Sequence, residues 1–335
     1  MSSVFSPLQI KNLRLSNRLV MPPMALDHAS EKGEVTSELI DHYLERAEGL
    51  GLVIVEHTYI LPEGKAHPRQ LGIYDDALLP GLKALVDRVH KLGVPIGLQI
   101  THAGARALNK PQAPSALFCP HLTRFGLSPE LSAKEIPAEL SIEDMKNICA
   151  AFARAAARAQ EAGFDLVEIH GAHGYLLNQF YSPLTNRRTD EYGGSLENRL
   201  RFPLEVIAAV KRTVGPDMPV FYRLGADDRL PGGNGVDESK KAVPLLVNAG
   251  VDCLDLSGGI CGYLKKGPPG FFNYLAKEIK PVANIPVLVT GGINSLEMAE
   301  ELVAAGIADL VGIGRALLSD PAWLKKAKEK RYGSK

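Results

Sequence analysis

Two histidines, His170 and His173, flank Gly171-Ala172, and Tyr175 follows one glycine later. Two imidazoles and a phenol can each donate a hydrogen bond, and a phenol can also deliver a proton. The stretch before them, Leu166–His170, alternates as a buried strand, so all three groups are expected at the mouth of one strand. The run after them, to Arg199, is dense in Asn, Arg, Asp, Tyr and Gly and reads as an ordered loop.

Those groups need a scaffold, and the rest of the chain supplies one. Strand signals recur eight times: Arg18–Pro23, Gly51–Tyr59, Ile96–His102, Leu166–His170, Val220–Leu224, Cys253–Ser257, Val287–Thr290 and Leu310–Ile313. They are short and rich in Val, Ile and Leu, as strands covered on both faces should be. Amphipathic helices are expected over Ser37–Glu48, Ser141–Ala162, Asn198–Val214, Asp237–Ala249, Phe271–Val282 and Ser295–Ala305. Ser37, Ser141 and Ser295 read as helix starts and Gly306 as a stop. The pattern predicts an α/β fold, a closed (β/α)8 barrel over residues 1–335 as one domain. FSPLQIKNLRLSN predicts an N-terminal hairpin, and the Pro-, Ala- and Ser-rich segment Ala103–Leu140 a capping excursion after strand three. A doubly wound open sheet is the alternative, but the linker it would need is missing from the middle of the chain.

Composition narrows the function. Lys+Arg and Asp+Glu balance at 38 each, without a long basic run, which argues against a nucleic-acid surface. The apolar stretches are strand-sized, so no membrane span is expected. The N-terminus lacks a basic start and an apolar run, so a cytoplasmic protein is expected. Cys119, Cys149, Cys253 and Cys261 lack CxxC spacing, which predicts reduced thiols and no metal site. A homo-oligomer is left open.

In a barrel of this kind the C-terminal strand ends form the active site. Those ends collect Pro22 to Ala25, Glu56-His57, Gln99 with His102, His170 with His173, Arg223, Ser257 to Gly259, Gly291-Gly292 and Gly314-Arg315. The turns VTGGIN and GIGRAL follow strands seven and eight, where such barrels commonly hold a phosphate. Glycines there allow backbone N–H groups to approach an anion, and Arg315 could add a charge-assisted bond.

These residues resemble the old yellow enzymes, flavin-dependent ene-reductases of the NADH:flavin oxidoreductase group. The resemblance runs through NRLVMPPM, IGLQITHAGAR, HGAHGYLLNQFYSPLTNRRTDEYGGSLENR, VFYRLGADD, VTGGIN and GIGRALLSDP. The nearest branch is that of the 2,4-dienoyl-CoA reductase and trimethylamine dehydrogenase barrels. It implies non-covalent FMN, with Pro23, Met24 and Ala25 along the ring and Gln99 at its pyrimidine edge. Arg223 would lie near N1 and O2, and Gly291, Gly292, Gly314 and Arg315 would hold the phosphate. It further implies NADH or NADPH as co-substrate and a small activated alkene as substrate. Hydride would pass through flavin N5 to the β-carbon, His170 and His173 would bind the carbonyl oxygen, and Tyr175 would donate the proton. Ala25 stands where another branch has a flavin-modulating cysteine. With its last residue at Lys335, the chain is expected to lack the iron–sulfur segment and nucleotide-binding domains of larger relatives.

Two other functions are open at this stage: a flavin dehydrogenase or demethylase of an amine-type donor passing electrons to a partner protein, and an aldolase-like lyase. Three further expectations concern the rim and interior. Asp27, His28 and His57 fall close to the site, with local hydrogen bonding as likely a role as a substrate contact. In the loop GGICGYLKKGPPGFF, Tyr263 and Lys265-Lys266 could reach an acidic or CoA-bearing substrate, although a solvated lysine pair is the favoured reading. Strand alternation turns Glu168 and Arg223 inward, predicting a direct or water-bridged ion pair between them, with Glu56 as a second candidate partner for the arginine.

Overall fold

The computed structural model describes residues 3–122, 135–263 and 267–333. Eight parallel strands close a barrel: β3 (Leu19–Met21), β4 (Leu52–Tyr59), β5 (Ile96–Thr101), β8 (Leu166–Gly171), β9 (Val220–Asp227), β10 (Cys253–Gly258), β11 (Val287–Thr290) and β12 (Leu310–Gly312). The expected strands are all present, with ends that move by at most three residues.

The expected hairpin forms from β1 (Leu8–Ile10) and β2 (Leu13–Leu15), with Leu8 opposite Leu15 and Ile10 opposite Leu13. Its Ile10, Leu13 and Leu15 pack against inward residues of the barrel, including Val20, Ile54, Leu166, Phe221 and Leu288. The hairpin therefore plugs the N-terminal end of the barrel. Each fully buried aliphatic side chain there contributes about 1.5–3 kcal/mol. Gly97 belongs to this layer for a steric reason: a Cβ on it would lie 2.5 Å from Leu166 Cδ1.

The outer layer is helical. α1 (Ser37–Ala47) is capped by Thr36, not Ser37: Thr36 holds an extended backbone and its hydroxyl accepts from Leu39 N at 3.2 Å. Ser37 already has helical geometry and cannot play that part. α2 (Leu79–His90) was not read from the sequence; it follows a short turn in which Asp75 accepts from Ala77 N. α3 (Ile142–Glu161) opens with the expected Ser141 cap, completed as a capping box by Asp144. A short helix, α4 (Leu176–Tyr181), interrupts the stretch read as loop. α5 (Leu196–Val214), α6 (Val236–Asn248), α7 (Asn273–Ile279) and α8 (Leu296–Ala304) follow, α8 with its expected Ser295 cap. Beyond β12 come α9 (Arg315–Ser319) and α10 (Trp323–Tyr332).

The excursion leaves β5 and is fastened by a short parallel pair, β6 (Gln112–Ala113) with β7 (Ala138–Glu139). The polar run after His173 holds it down. Arg188 donates from Nη1 to the carbonyls of Pro114 at 3.0 Å and Leu140 at 2.7 Å, while Asp190 grips the same guanidinium. Arg187 N donates to Ser115 Oγ. Asn186 and Arg199 satisfy the carbonyls of Phe180, Tyr192 and Tyr181. This run, read as an ordered loop, works as a bolt between barrel and excursion. Among the described residues, no helix is long and apolar enough to cross a membrane.

Candidate active site

At the C-terminal end of the barrel lies a cavity of about 550 Å³. All twelve residues expected at the site line it: Pro23, Met24, Ala25, Gln99, His170, His173, Tyr175, Arg223, Gly291, Gly292, Gly314 and Arg315. They come from strand ends scattered over the whole chain, and barrel closure brings them together.

The turn after β8 sets the three candidate donors. Gly171 packs so tightly that a Cβ on it would lie 2.1 Å from Tyr222 Oη. His173 adopts φ 58°, a left-handed conformation costly for a non-glycine residue. Its amide donates to Gly258 O, and its Nε2 lies 2.7 Å from Ser257 Oγ. Gln179 ties this turn to the excursion, donating to Gly174 O and Ala103 O and accepting from Ala105 N. The His170 ring lies 5.1 Å from that of His173 and 4.9 Å from that of Tyr175, centroid to centroid. Burial, reinforced by neighbouring His173, Arg223 and Arg106, drives the His170 pKa well below its ordinary value. Burial does the same to His173. Both imidazoles are neutral at physiological pH. Burial raises the Tyr175 phenol, against an opposing pull from Arg106, so it keeps its proton. The Arg106 guanidinium carbon lies 4.8 Å above the Tyr175 ring, and its Nη1 donates to His173 O.

His57 forms the wall on the other side of Tyr175, ring centroids 5.2 Å apart. Its hydrogen bonds fix its tautomer. Ala66 N donates to Gln70 Oε1, so Gln70 Nε2 must be the group facing His57 Nδ1 at 2.8 Å. His57 therefore carries its proton on Nε2 and donates to His67 Nε2 at 3.1 Å. His67 in turn donates from Nδ1 to Asp27 Oδ1 at 3.2 Å. For Asp27 and His57 the structure favours local hydrogen bonding over a free substrate-binding group. His28 pairs with Glu38, and its ring packs edge-on against that of His42. Tyr263 reaches the cavity, its ring 5.9 Å from that of His173, while Lys265 and Lys266 lie outside the described residues.

A direct Glu168–Arg223 pair does not form. Glu168 does face inward, but its Oε1 accepts from Gln99 Nε2 at 2.7 Å. Arg223 instead places Nε 3.0 Å from Asp255 Oδ2 and donates from Nη1 to Pro23 O. Register decides this: Gln99 stands opposite Glu168, whereas Asp255 stands opposite Arg223. Asp255, His67, Gln70 and Arg106 were missed. Asp255 was within reach, because in CLDLSG it shares the inward parity of Ser257.

The lining contains three arginines and three histidines, and no Asp or Glu among the described residues. Such a cavity suits an anionic ligand. Gly291 and Gly292 are required at their wall, since a Cβ on either would press within 2.8 Å of Phe272 or Phe271, and Arg315 stacks over Phe271. The family model described as the NADH:flavin oxidoreductase / NADH oxidase family matches residues 3–334.

The chain belongs to this family. FMN is its cofactor, and the lining fits it: Gly291, Gly292, Gly314 and Arg315 share one wall, with Arg223 and Gln99 deeper in the barrel. An NADH oxidase of Thermoanaerobacter brockii is 44% identical over 98% of this chain, which spans about half, 51%, of that relative's length. Among solved structures, a 2-naphthoyl-CoA reductase complex superposes with a TM-score of 0.90 at 27% identity, covering 98% of this chain and 52% of its own. Morphinone reductase in complex with tetrahydroNAD superposes with a TM-score of 0.85 at 29% identity, covering 100% and 92%. The flavin oxidoreductase fold of this chain is thus shared both with relatives about twice its length and with one close to its own.

Proposed function

We propose that this flavin oxidoreductase is an NAD(P)H-dependent ene-reductase acting on α,β-unsaturated carbonyl compounds. The observation that carries this reading is the convergence of His170, His173 and Tyr175 on one wall of the cavity. FMN, when bound, supplies the two-electron relay from the nicotinamide to the β-carbon of the alkene. His170 and His173 hold the carbonyl oxygen, and as neutral imidazoles they donate hydrogen bonds to the enolate charge that grows there. Ser257 keeps the His173 ring in place for this task. Tyr175 delivers the proton to the α-carbon. Arg223 offers a fixed positive charge at the barrel floor.

A protonated amine would meet three arginines and no carboxylate among the described lining residues, which favours a carbonyl substrate over an amine-type donor. Anaerobic stopped-flow tests the reading. Reduction by NADH or NADPH should bleach the flavin, and cyclohexenone or a cinnamoyl compound should restore its colour. Reoxidation only by an electron-accepting protein, with every alkene inert, would refute it.

A further inference from the structure

Above the hairpin plug the barrel interior changes character. The inward positions one step higher are Gln99 on β5, Glu168 on β8, Arg223 on β9, Asp255 on β10 and Thr290 on β11, with Glu56 on β4. Glu168 and Asp255 are fully buried, and Arg223 is 4% exposed. Two carboxylates thus lie in one buried layer with a single guanidinium, at the floor of the cavity. Their hydrogen bonds are incomplete: Glu168 Oε2 and both oxygens of Asp255 lack a hydrogen bond of good geometry among the described residues, although the Thr290 hydroxyl pulls on Asp255. The Arg223 contact at 3.0 Å is an ion pair whose N–H does not aim at the oxygen.

Charge counting follows from burial. With both carboxylates ionised the layer would hold a net negative charge away from water, which is costly. One proton on the pair makes the layer neutral. The other titratable neighbours do not alter the count. His170 lies one inward step above and is neutral, and Cys253 one step below keeps its thiol proton because burial raises it well above its ordinary value. Burial raises Glu56 to about 8, so it too is protonated at neutral pH. Gln99 and Thr290 do not titrate. Burial, with repulsion from Asp255, pushes Glu168 up against Arg223 and Gln99, and burial pushes Asp255 up against the pull of Arg223 and Thr290.

We propose that Glu168 and Asp255 share one proton at rest and bind a second when the bound flavin is reduced, so that two-electron reduction takes up two protons. The hydride brings two electrons and one proton. The second proton comes from water and forms an O–H bond on the carboxylate still ionised. Reduction adds a negative charge beside Arg223, and the protonated pair then leaves that guanidinium to balance it. The layer and the cofactor together are neutral before and after. This rests on FMN binding above Arg223, and is independent of which substrate reoxidises it.

The test is the midpoint potential of the FMN holoprotein against pH, between about 6 and 8, read alongside redox-difference infrared spectra. The wild type should show the slope of two protons per two electrons, and a protonated-carboxyl band should grow on reduction. The double variant Asp255→Asn/Glu168→Gln should halve the slope and remove the band, whereas each single variant keeps one ionised carboxylate beside Arg223 and should keep both. A wild-type slope of one proton per two electrons, or a band absent from the wild type, overturns the proposal even if neither variant folds. So does a full slope that survives in the double variant. Inert alkenes would refute the ene-reductase reading and leave these measurements unchanged.

Discussion

Arg223 and Asp255 stand opposite each other in the β9–β10 register, with Nε 3.0 Å from Oδ2 and both side chains buried. Neighbouring parallel strands in register set their inward residues at one height, so this pair meets without any bend in the chain. Glu168 sits opposite Phe221 on the same strand β9, two residues below Arg223, and turns to Gln99 instead. Removing one partner of a buried pair strands the other, at a cost on the order of 3–5 kcal/mol. Arg223→Met should therefore destabilise the apoprotein by about that much in urea denaturation, and weaken FMN binding as well. Stability within about 0.5 kcal/mol of wild type would show that Asp255 needs no counter-charge.

Glu56 sets a pH dependence. Burial raises it to about 8, against the backbone N–H groups of Leu26 and Asp27, with Leu26 N donating to its Oε2 at 2.9 Å. The folded state keeps this proton to a higher pH than the unfolded chain does. Stability from this group is thus full below the unfolded value near 4.5 and is lost as pH rises to about 8. Buried His102, lowered to about 4, works the other way: the unfolded chain binds its proton first, so stability grows from pH 4 towards its ordinary value of 6.5. The two offset each other below pH 6.5. Above it the loss from Glu56 is joined by that from Glu168, which burial raises as well; the Glu56 share is on the order of 2 kcal/mol by pH 8. In urea midpoints of the apoprotein, Glu56→Gln should flatten the decline between pH 6.5 and 8 relative to wild type.

The chain from Gln70 through His57 and His67 to Asp27 makes a spectroscopic prediction. In ¹⁵N-labelled protein, His57 should be neutral with its proton on Nε2, and His67 neutral with its proton on Nδ1. His67→Ala leaves the His57 Nε2–H without its partner, costing about 1–3 kcal/mol, while Asp27 Oδ1 still accepts from Arg69 N. His57 should then sample both tautomers. An unchanged His57 spectrum in that variant would mean that Gln70 alone sets the tautomer.

Much of this site was legible before the coordinates, and the reasons are specific. Strand ends at His170, Arg223 and Gly291-Gly292 could be read because a barrel strand announces itself by a short apolar run and its end by the first polar or glycine residue. Parity along a strand put Glu168 and Arg223 inside. Parity says nothing of the height at which neighbouring strands pair, so Asp255 was overlooked and Glu168 given the wrong partner. Thr36 and Ser37 are equally good caps by residue type, and only the backbone angle distinguishes them. The Arg188 bolt could not be seen either, since its acceptors are backbone carbonyls 74 and 48 residues away.

Tyr175 gives the sharpest separation between chemistry and architecture. Its ring is held by His57 on one side and the Arg106 guanidinium 4.8 Å above, and its backbone caps α4. None of these contacts involves the hydroxyl, so Tyr175→Phe should keep the fold and the cavity wall. Flavin reduction by NAD(P)H needs no proton from the phenol and should stay within about twofold of wild type. Reoxidation by an activated alkene needs that proton at the α-carbon and should slow by 10²- to 10⁴-fold, the usual worth of a positioned acid. His173→Ala should behave differently: it removes a donor to the enolate oxygen, slowing the same half-reaction by about 10²- to 10³-fold and weakening phenolic ligands that mimic the enolate. Stopped-flow measurement of the two half-reactions in both variants separates the roles. Equal slowing of both half-reactions in Tyr175→Phe would assign the tyrosine to nicotinamide or flavin binding and remove it as the acid.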